Sequence, residues 1–143
     1  MIDRRLVRAA IGVSFLACWM LFSFAEEPEK SAESDLRELL LEHHAVLEQR
    51  AETIRAANQQ GNLGMDQVLE AANDALGAEL ELAETPEDRI AIRRKMLDNA
   101  SKIEQIFQLQ SNNGMKPIQD FLQAKADRIE FQIALVREQN GTQ

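Results

Sequence analysis

The chain has 143 residues, of which 45% are hydrophobic, with a formal net charge of −8. Residues 1–25 hold 18 of those hydrophobic positions, and the 118 that follow are about 39% hydrophobic with a net charge of −10. That remainder suits one small domain; it excludes barrels, doubly wound sheets and multi-domain enzymes, and with no cysteine after residue 25 it excludes a disulfide-stapled fold.

The N-terminal segment reads as an address. Arg4, Arg5 and Arg8 precede an apolar run from Ala9 to Phe24, and Glu26, Glu27, Pro28, Glu29 and Lys30 follow. This is the order of charge and hydrophobicity in a secretory signal peptide. Ser23, Phe24 and Ala25 place small residues where signal peptidase inspects, so cleavage after Ala25 is expected, with residues 26–143 exported to a periplasm or cell envelope. Two alternatives lead to the same side of the membrane: an uncleaved anchor, since about 20 apolar residues span a bilayer, and lipidation at Cys18, against which the still apolar Trp19 to Phe24 argues.

Residues 26–34 combine Pro28, two Ser and several charges without apolar periodicity and read as a flexible acidic spacer. The repeated domain is expected over 35–140. Ser34 caps a first helix with Leu36, Leu40, Val46 or Leu47, and Ile54 at three- and four-residue intervals, ending near Gln60, where Gly61 can adopt a left-handed conformation. A second helix from Met65 carries Val68, Leu69, Ala72, Leu76, Leu80 and Ala83. Thr85, Pro86, Glu87 and Asp88 form a cap, a first-position proline and two first-turn acids, and open a third helix through Ile92, Met96, Ala100, Ile103 and Phe107. That helix stops at Ser111-Asn112-Asn113-Gly114. Pro117 opens the fourth, which has two apolar stripes: Ile118, Leu122, Ile129, Ile133 and Val136 on one, and Phe121, Ala124, Phe131 and Leu135 on the other. Nothing alternates with period two, so the fold class is all-α.

A shift of 53 residues pairs 61–82 with 114–135 without a gap, and five of the 22 columns are identical: Gly61 with Gly114, Leu69 with Leu122, Ala71 with Ala124, Asp74 with Asp127, Leu82 with Leu135. Unrelated segments of ordinary composition give roughly one or two identities. The period is one helix-turn-helix unit used twice, over about 35–84 and 86–139, with the first arms aligning poorly. Arms of 20 to 26 residues are roughly 30 to 39 Å long and, joined by short turns, pack antiparallel. The expected architecture is two long antiparallel helical hairpins, in an up-down-up-down four-helix bundle or a coiled-coil-like array. Two stripes on the fourth helix require two neighbours, which favours a closed bundle or self-association.

The segment Gly61-Asn62-Leu63-Gly64-Met65-Asp66-Gln67-Val68-Leu69-Glu70-Ala71, with Gly114-Met115-Lys116-Pro117-Ile118-Gln119-Asp120-Phe121-Leu122-Gln123-Ala124, resembles the periplasmic helical hairpin of TolC-type outer-membrane efflux proteins. In that family a helix ends at a Gly and the next opens with an Asp-aliphatic-Leu segment and a small residue two positions on. Asp120, Phe121, Leu122 and Ala124 match those positions, as do Val68, Leu69 and Ala71. The chain departs from the pattern at Gly64 and Pro117, where the family has Ser or Thr, and the family's barrel strands have no counterpart. The resemblance implies a hairpin fragment that packs against other helices in an export or efflux assembly, with partners docking at the hairpin tips.

Candidate sites are few. His43 and His44 are the only histidines, and His44 with Glu48 one turn on could share a cation, but two ligands do not close a site. The plainer expectation places His43 along the apolar seam with Leu36, Leu40 and Leu47, and His44 in solvent. Arg93-Arg94-Lys95, flanked by Asp88 and Asp98 in an acidic protein, reads as a solvated helix face rather than a phosphate-binding patch. Leu63, Met115 and Lys116 sit in turns expected to be exposed and are the partner-contact candidates. No nucleophile, base and orienting group can be assembled, and no glycine-rich phosphate loop is present, so neither enzymatic activity nor a cofactor is expected. The functional expectation is a non-enzymatic exported protein that packs with itself or an envelope partner; the alternatives are a cation- or solute-binding periplasmic module and a membrane-anchored structural protein.

Overall fold

The computed structural model describes residues 28–141, so the expected cleavage at Ala25, the anchor alternative and Cys18 lie outside the described residues. The described residues form four helices: α1 (Pro28–Gln59), α2 (Met65–Leu82), α3 (Pro86–Asn112) and α4 (Ile118–Gly141), with no strand among them. None of these helices is long and apolar enough to cross a membrane. The described residues fall into two units, 28–36 and 37–141. In the first, residues 28–36 are helical. This differs from the expected spacer: α1 begins upstream of Ser34, because Ala32 and Glu33 are good helix formers and no breaker separates them from the periodic stretch.

In the second unit the helices run up-down-up-down. α2 packs on α3 and α3 on α4. Arg50 reaches Asp74 at 2.6 Å and Arg37 reaches Glu84 at 2.8 Å, which sets α1 antiparallel beside α2. At the far end of the second hairpin, Glu138 on α4 meets Arg89 and Arg93 near the start of α3. The expected start signal of α3 forms: the Asp88 backbone N–H donates to Thr85 Oγ1 at 3.1 Å, satisfying one of the donors a helix start leaves unpaired.

The hairpin turns are built alike. Gly61 and Gly114 both take positive φ, 79° and 70°. The Gly61 and Gly114 N–H groups donate to the carbonyls of Asn58 and Ser111, and those of Asn62 and Met115 to Ala57 and Gln110, so each helix ends in a Schellman motif. The 53-residue period extends further than residue identity suggests. On α1 the covered residues Leu40, His44, Leu47, Ala51 and Ile54 fall 53 positions before Arg93, Leu97, Ala100, Glu104 and Phe107, which are likewise covered on α3. The correspondence is limited to one face: the same shift pairs buried Ile92, Met96 and Ile103 with exposed Leu39, His43 and Arg50, so the first arms share one packed face while their residues align poorly, as expected. Replacing one apolar side chain by another, or by an ion-paired one such as Glu104 with Arg128 at 2.7 Å, preserves a packing position without preserving the residue.

The core is thin and made largely of small residues: Ala51, Val68, Ala71, Ala78, Ile92, Met96, Ala100, Ile103, Ala124 and Leu135. Alanine at the contact faces lets the helices approach closely. It leaves few large side chains inside.

Candidate interaction surfaces

The two hairpin tips meet within the second unit. Lys116 Nζ is 3.4 Å from Asp66 Oδ2, joining the turn before α4 to the first turn of α2, and it sits 3.6 Å from the centroid of the Phe107 ring. A cation over an aromatic face beside a carboxylate is held twice, by the ring quadrupole and by charge. Lys116 is thus a fastening between the two tips. Of the three tip candidates, Met115 stands out in solvent at 72% exposure, whereas Leu63 is half-buried, with its carbonyl accepting from Asn58 Nδ2 at 2.7 Å. Gln110 Oε1, buried nearby in the last turn of α3, has no hydrogen-bond partner among the described residues.

A groove of about 540 Å³ runs between α2 and α4 over α3, floored by Ala100, Ile103 and Ala124 and edged by Glu70, Asp74, Asp120, Asp127 and Glu130. Its acids affect one another. The Glu70 carboxyl is pushed above its ordinary value, first by desolvation and then by Asp66; Lys116 opposes the shift, and Asp74 and Asp127 add to it. The groove contains no group paired as nucleophile and base.

The histidines are placed opposite to expectation. His43 is exposed, and His44 is the covered one, in the groove between α1, α2 and α3, with Nε2 3.9 Å from Glu48 Oε1. The physical reason is phase: α1 turns Leu40, His44, Leu47 and Ala51 toward α2, which rotates His43 outward with Leu39 and Val46. Among the described residues no group of three or more His, Cys, Asp or Glu side chains converges as metal ligands would. The basic cluster is divided by its partners: Arg93 Nε donates to Glu138 Oε2 at 2.7 Å, and Lys95 Nζ lies 4.0 Å from Glu79.

The most extensive exposed apolar surface is on the two flanking helices. Of the two α4 stripes, Phe121, Ala124, Phe131 and Leu135 are half or fully covered, with Ala124 and Leu135 buried. The other stripe lies open: Ile118, Leu122, Ile129, Ile133 and Val136, with Met115 before them, are all exposed. Met115, Leu122, Ile129 and Val136 fall seven apart, the spacing of a seam that meets another helix. On α1, Leu39 and Val46 are similarly exposed, at 62% and 57%. Scattered exposed leucines need no explanation, but a continuous stripe over five turns of helix does. The sequence announced this stripe through its second set of apolar positions. Nothing in the sequence marked Leu39, His43 and Val46 as a face, because Leu40 and Leu47 compete for the same periodicity.

No protein-family model, curated protein or solved structure matches the chain.

Proposed function

We propose that this is an exported, non-enzymatic protein that works by packing its outer helices against other helices, those of its own copies or of an envelope partner, in the manner of the TolC-like hairpins it resembles. The observation that carries the reading is the uncovered α4 stripe, Met115, Ile118, Leu122, Ile129, Ile133 and Val136, at the spacing of a helix-packing seam. The slender alanine-rich core and the open, acid-edged groove support it too, since neither offers the enclosed, mostly apolar pocket of a small-molecule site. Export is supported by the charge and hydrophobicity order of residues 1–30.

Two measurements test the reading. Mass spectrometry of the chain recovered from the cell envelope is expected to find an N-terminus at Glu26. Sedimentation of the same material is expected to give a species heavier than one copy, and Leu122→Asp with Ile129→Asp is expected to return it to a monomer of unchanged helical content. A wild-type chain that sediments as a monomer and retains no other envelope protein would sink the proposal.

A further inference from the structure

The 53-residue period relates not only the two hairpins but also the faces by which they meet. At the internal contact, α2 presents Leu69, Asn73, Leu76, Leu80 and Ala83 on its α3 side, all half or fully covered. Leu69 lines a groove with Ile106 and Leu109, and Ala83 lines one with Ala91 and Ile92. α3 answers with Ile92, Met96 and Asn99; Asn99 Nδ2 donates to Asn73 Oδ1 at 2.9 Å, and Asn73 Nδ2 donates to the Met96 carbonyl at 3.5 Å. Adding 53 to the α2 set gives Leu122, Ala126, Ile129, Ile133 and Val136, all exposed on α4. Subtracting 53 from the α3 set gives Leu39, His43 and Val46, all exposed on α1. The two outer faces of the molecule are therefore the two halves of its own internal joint, separated to opposite ends of the repeat.

We infer that the occupant of the α4 stripe is the α1 face of a second copy, so that copies join head to tail through an α4-to-α1 contact that repeats the α2-to-α3 contact. This rests on the helix-packing reading above and names its partner. Transferred through the period, the hydrogen-bonded pair of Asn73 with Asn99 becomes Ala126 against Val46 of the next copy, and the Leu76, Leu80 and Ala83 row becomes Ile129, Ile133 and Val136 against Leu39 and His43. At the Asn73 and Asn99 position alone the joint between copies is apolar where the internal one is polar, whereas Met96 and Ile103 of the internal joint become His43 and Arg50. Its rim has complementary charge. Glu84 and Ala91, which line one groove of the internal joint, become Arg137 on α4 and Glu38 on α1. Because the two faces differ, the contact is heterologous and does not close after two copies, as in repeat proteins whose units touch only their neighbours.

A back-to-back pairing of two α4 stripes is the competing arrangement, since Met115 with Val136, Ile118 with Ile133 and Leu122 with Ile129 are symmetric about the Lys125 to Ala126 bond. Disulfide trapping of the full chain separates the two. With Cys18 replaced by Ser throughout, Val46→Cys and Ala126→Cys are placed on separate, differently sized chains that are co-expressed and oxidised. Head-to-tail joining yields the mixed product linking position 46 of one chain to position 126 of the other, with little product from either chain alone. Ready dimerisation of the Ala126→Cys chain by itself would overturn the inference in favour of back-to-back pairing.

Sedimentation supplies the second arm. Val46→Asp and Ile129→Asp are each expected to weaken self-association at least tenfold; mixed, they should form a one-to-one pair, because each still carries the face the other lacks. Failure to pair on mixing, while the wild-type chain self-associates, overturns the inference and leaves the helix-packing reading standing. A wild-type chain that stays monomeric overturns it as well; if Ile129→Asp then releases a different envelope protein, the broader reading survives alone. Circular dichroism that matches the wild type confirms that these exposed substitutions leave the fold intact.

Discussion

At the scale of single residues, the same substitution has opposite expected effects at two glycines. Gly114 holds φ at 70° with nothing within 4 Å of where a Cβ would lie, so Gly114→Ala meets no steric neighbour and costs only the left-handed backbone, about 1 kcal/mol. Gly77 lies inside α2 with equally open space, so Gly77→Ala is expected to stabilise by about 0.5–1 kcal/mol through helix propensity. Urea unfolding of the two variants checks both signs. Glu138 gives a pH-dependent counterpart. Hydrogen bonds from Arg89 and then Arg93 hold its carboxyl down at about 2, against their opposing cost of burial. A depressed carboxylate adds stability that is complete above its unfolded value of 4.5 and is lost as pH falls from there through about 2. With Arg89 partly solvent-screened, this contribution is on the order of 1–2 kcal/mol. Glu138→Gln should therefore lower the urea midpoint at pH 7, and the difference from wild type should shrink between pH 4.5 and 2.

At the scale of elements, the α2-to-α3 contact depends on a polar pair inside a thin core. Asn73 is 9% exposed, and its two side-chain atoms are matched by Asn99 and the Met96 carbonyl. Asn73→Ala leaves Asn99 without its acceptor and is expected to cost about 1–3 kcal/mol. Asn73→Ala with Asn99→Val removes both polar groups and installs the pair that the outer faces carry, so it is expected to be less destabilised than Asn73→Ala alone. A double-mutant cycle on thermal unfolding reads the difference. The helix starts and stops were legible in the sequence where a specific chemistry marks them: Thr85 and Pro86 at the start of α3, Gly61 and Gly114 at the turns. The start of α1 was not, because residues 32–34 carry neither a breaker nor an apolar period, and helix propensity alone extends a helix through such a stretch.

For the molecule as a whole, α4 carries one covered apolar stripe and one open one, and substitutions on the two are expected to act differently. Leu135→Ala, on the buried stripe, is expected to cost about 2–4 kcal/mol by leaving a cavity. Ile133→Gln, on the open stripe, is expected to change stability by less than about 0.5 kcal/mol while reducing self-association. Parallel measurement of unfolding midpoint and sedimentation coefficient tests both. If Ile133→Gln destabilised the isolated chain as Leu135→Ala does, the stripe would be core rather than contact surface.

By itself the sequence determined the all-α class, the four helices, the two glycine turns and the existence of a second apolar stripe on α4. These follow from periodicity and from residues whose backbone preferences are local. Only the tertiary structure decided which stripe is covered, that His44 and not His43 turns inward, that Lys116 fastens the tips over Phe107, and that the first arms share one packed face without repeating in residue type. Those depend on the rotation of each helix about its axis against its neighbours. Alanine-rich arms leave that rotation open, since residues such as Leu39, Leu40, Val46 and Leu47 offer α1 two apolar faces of similar strength, and packing against α2 selects one of them.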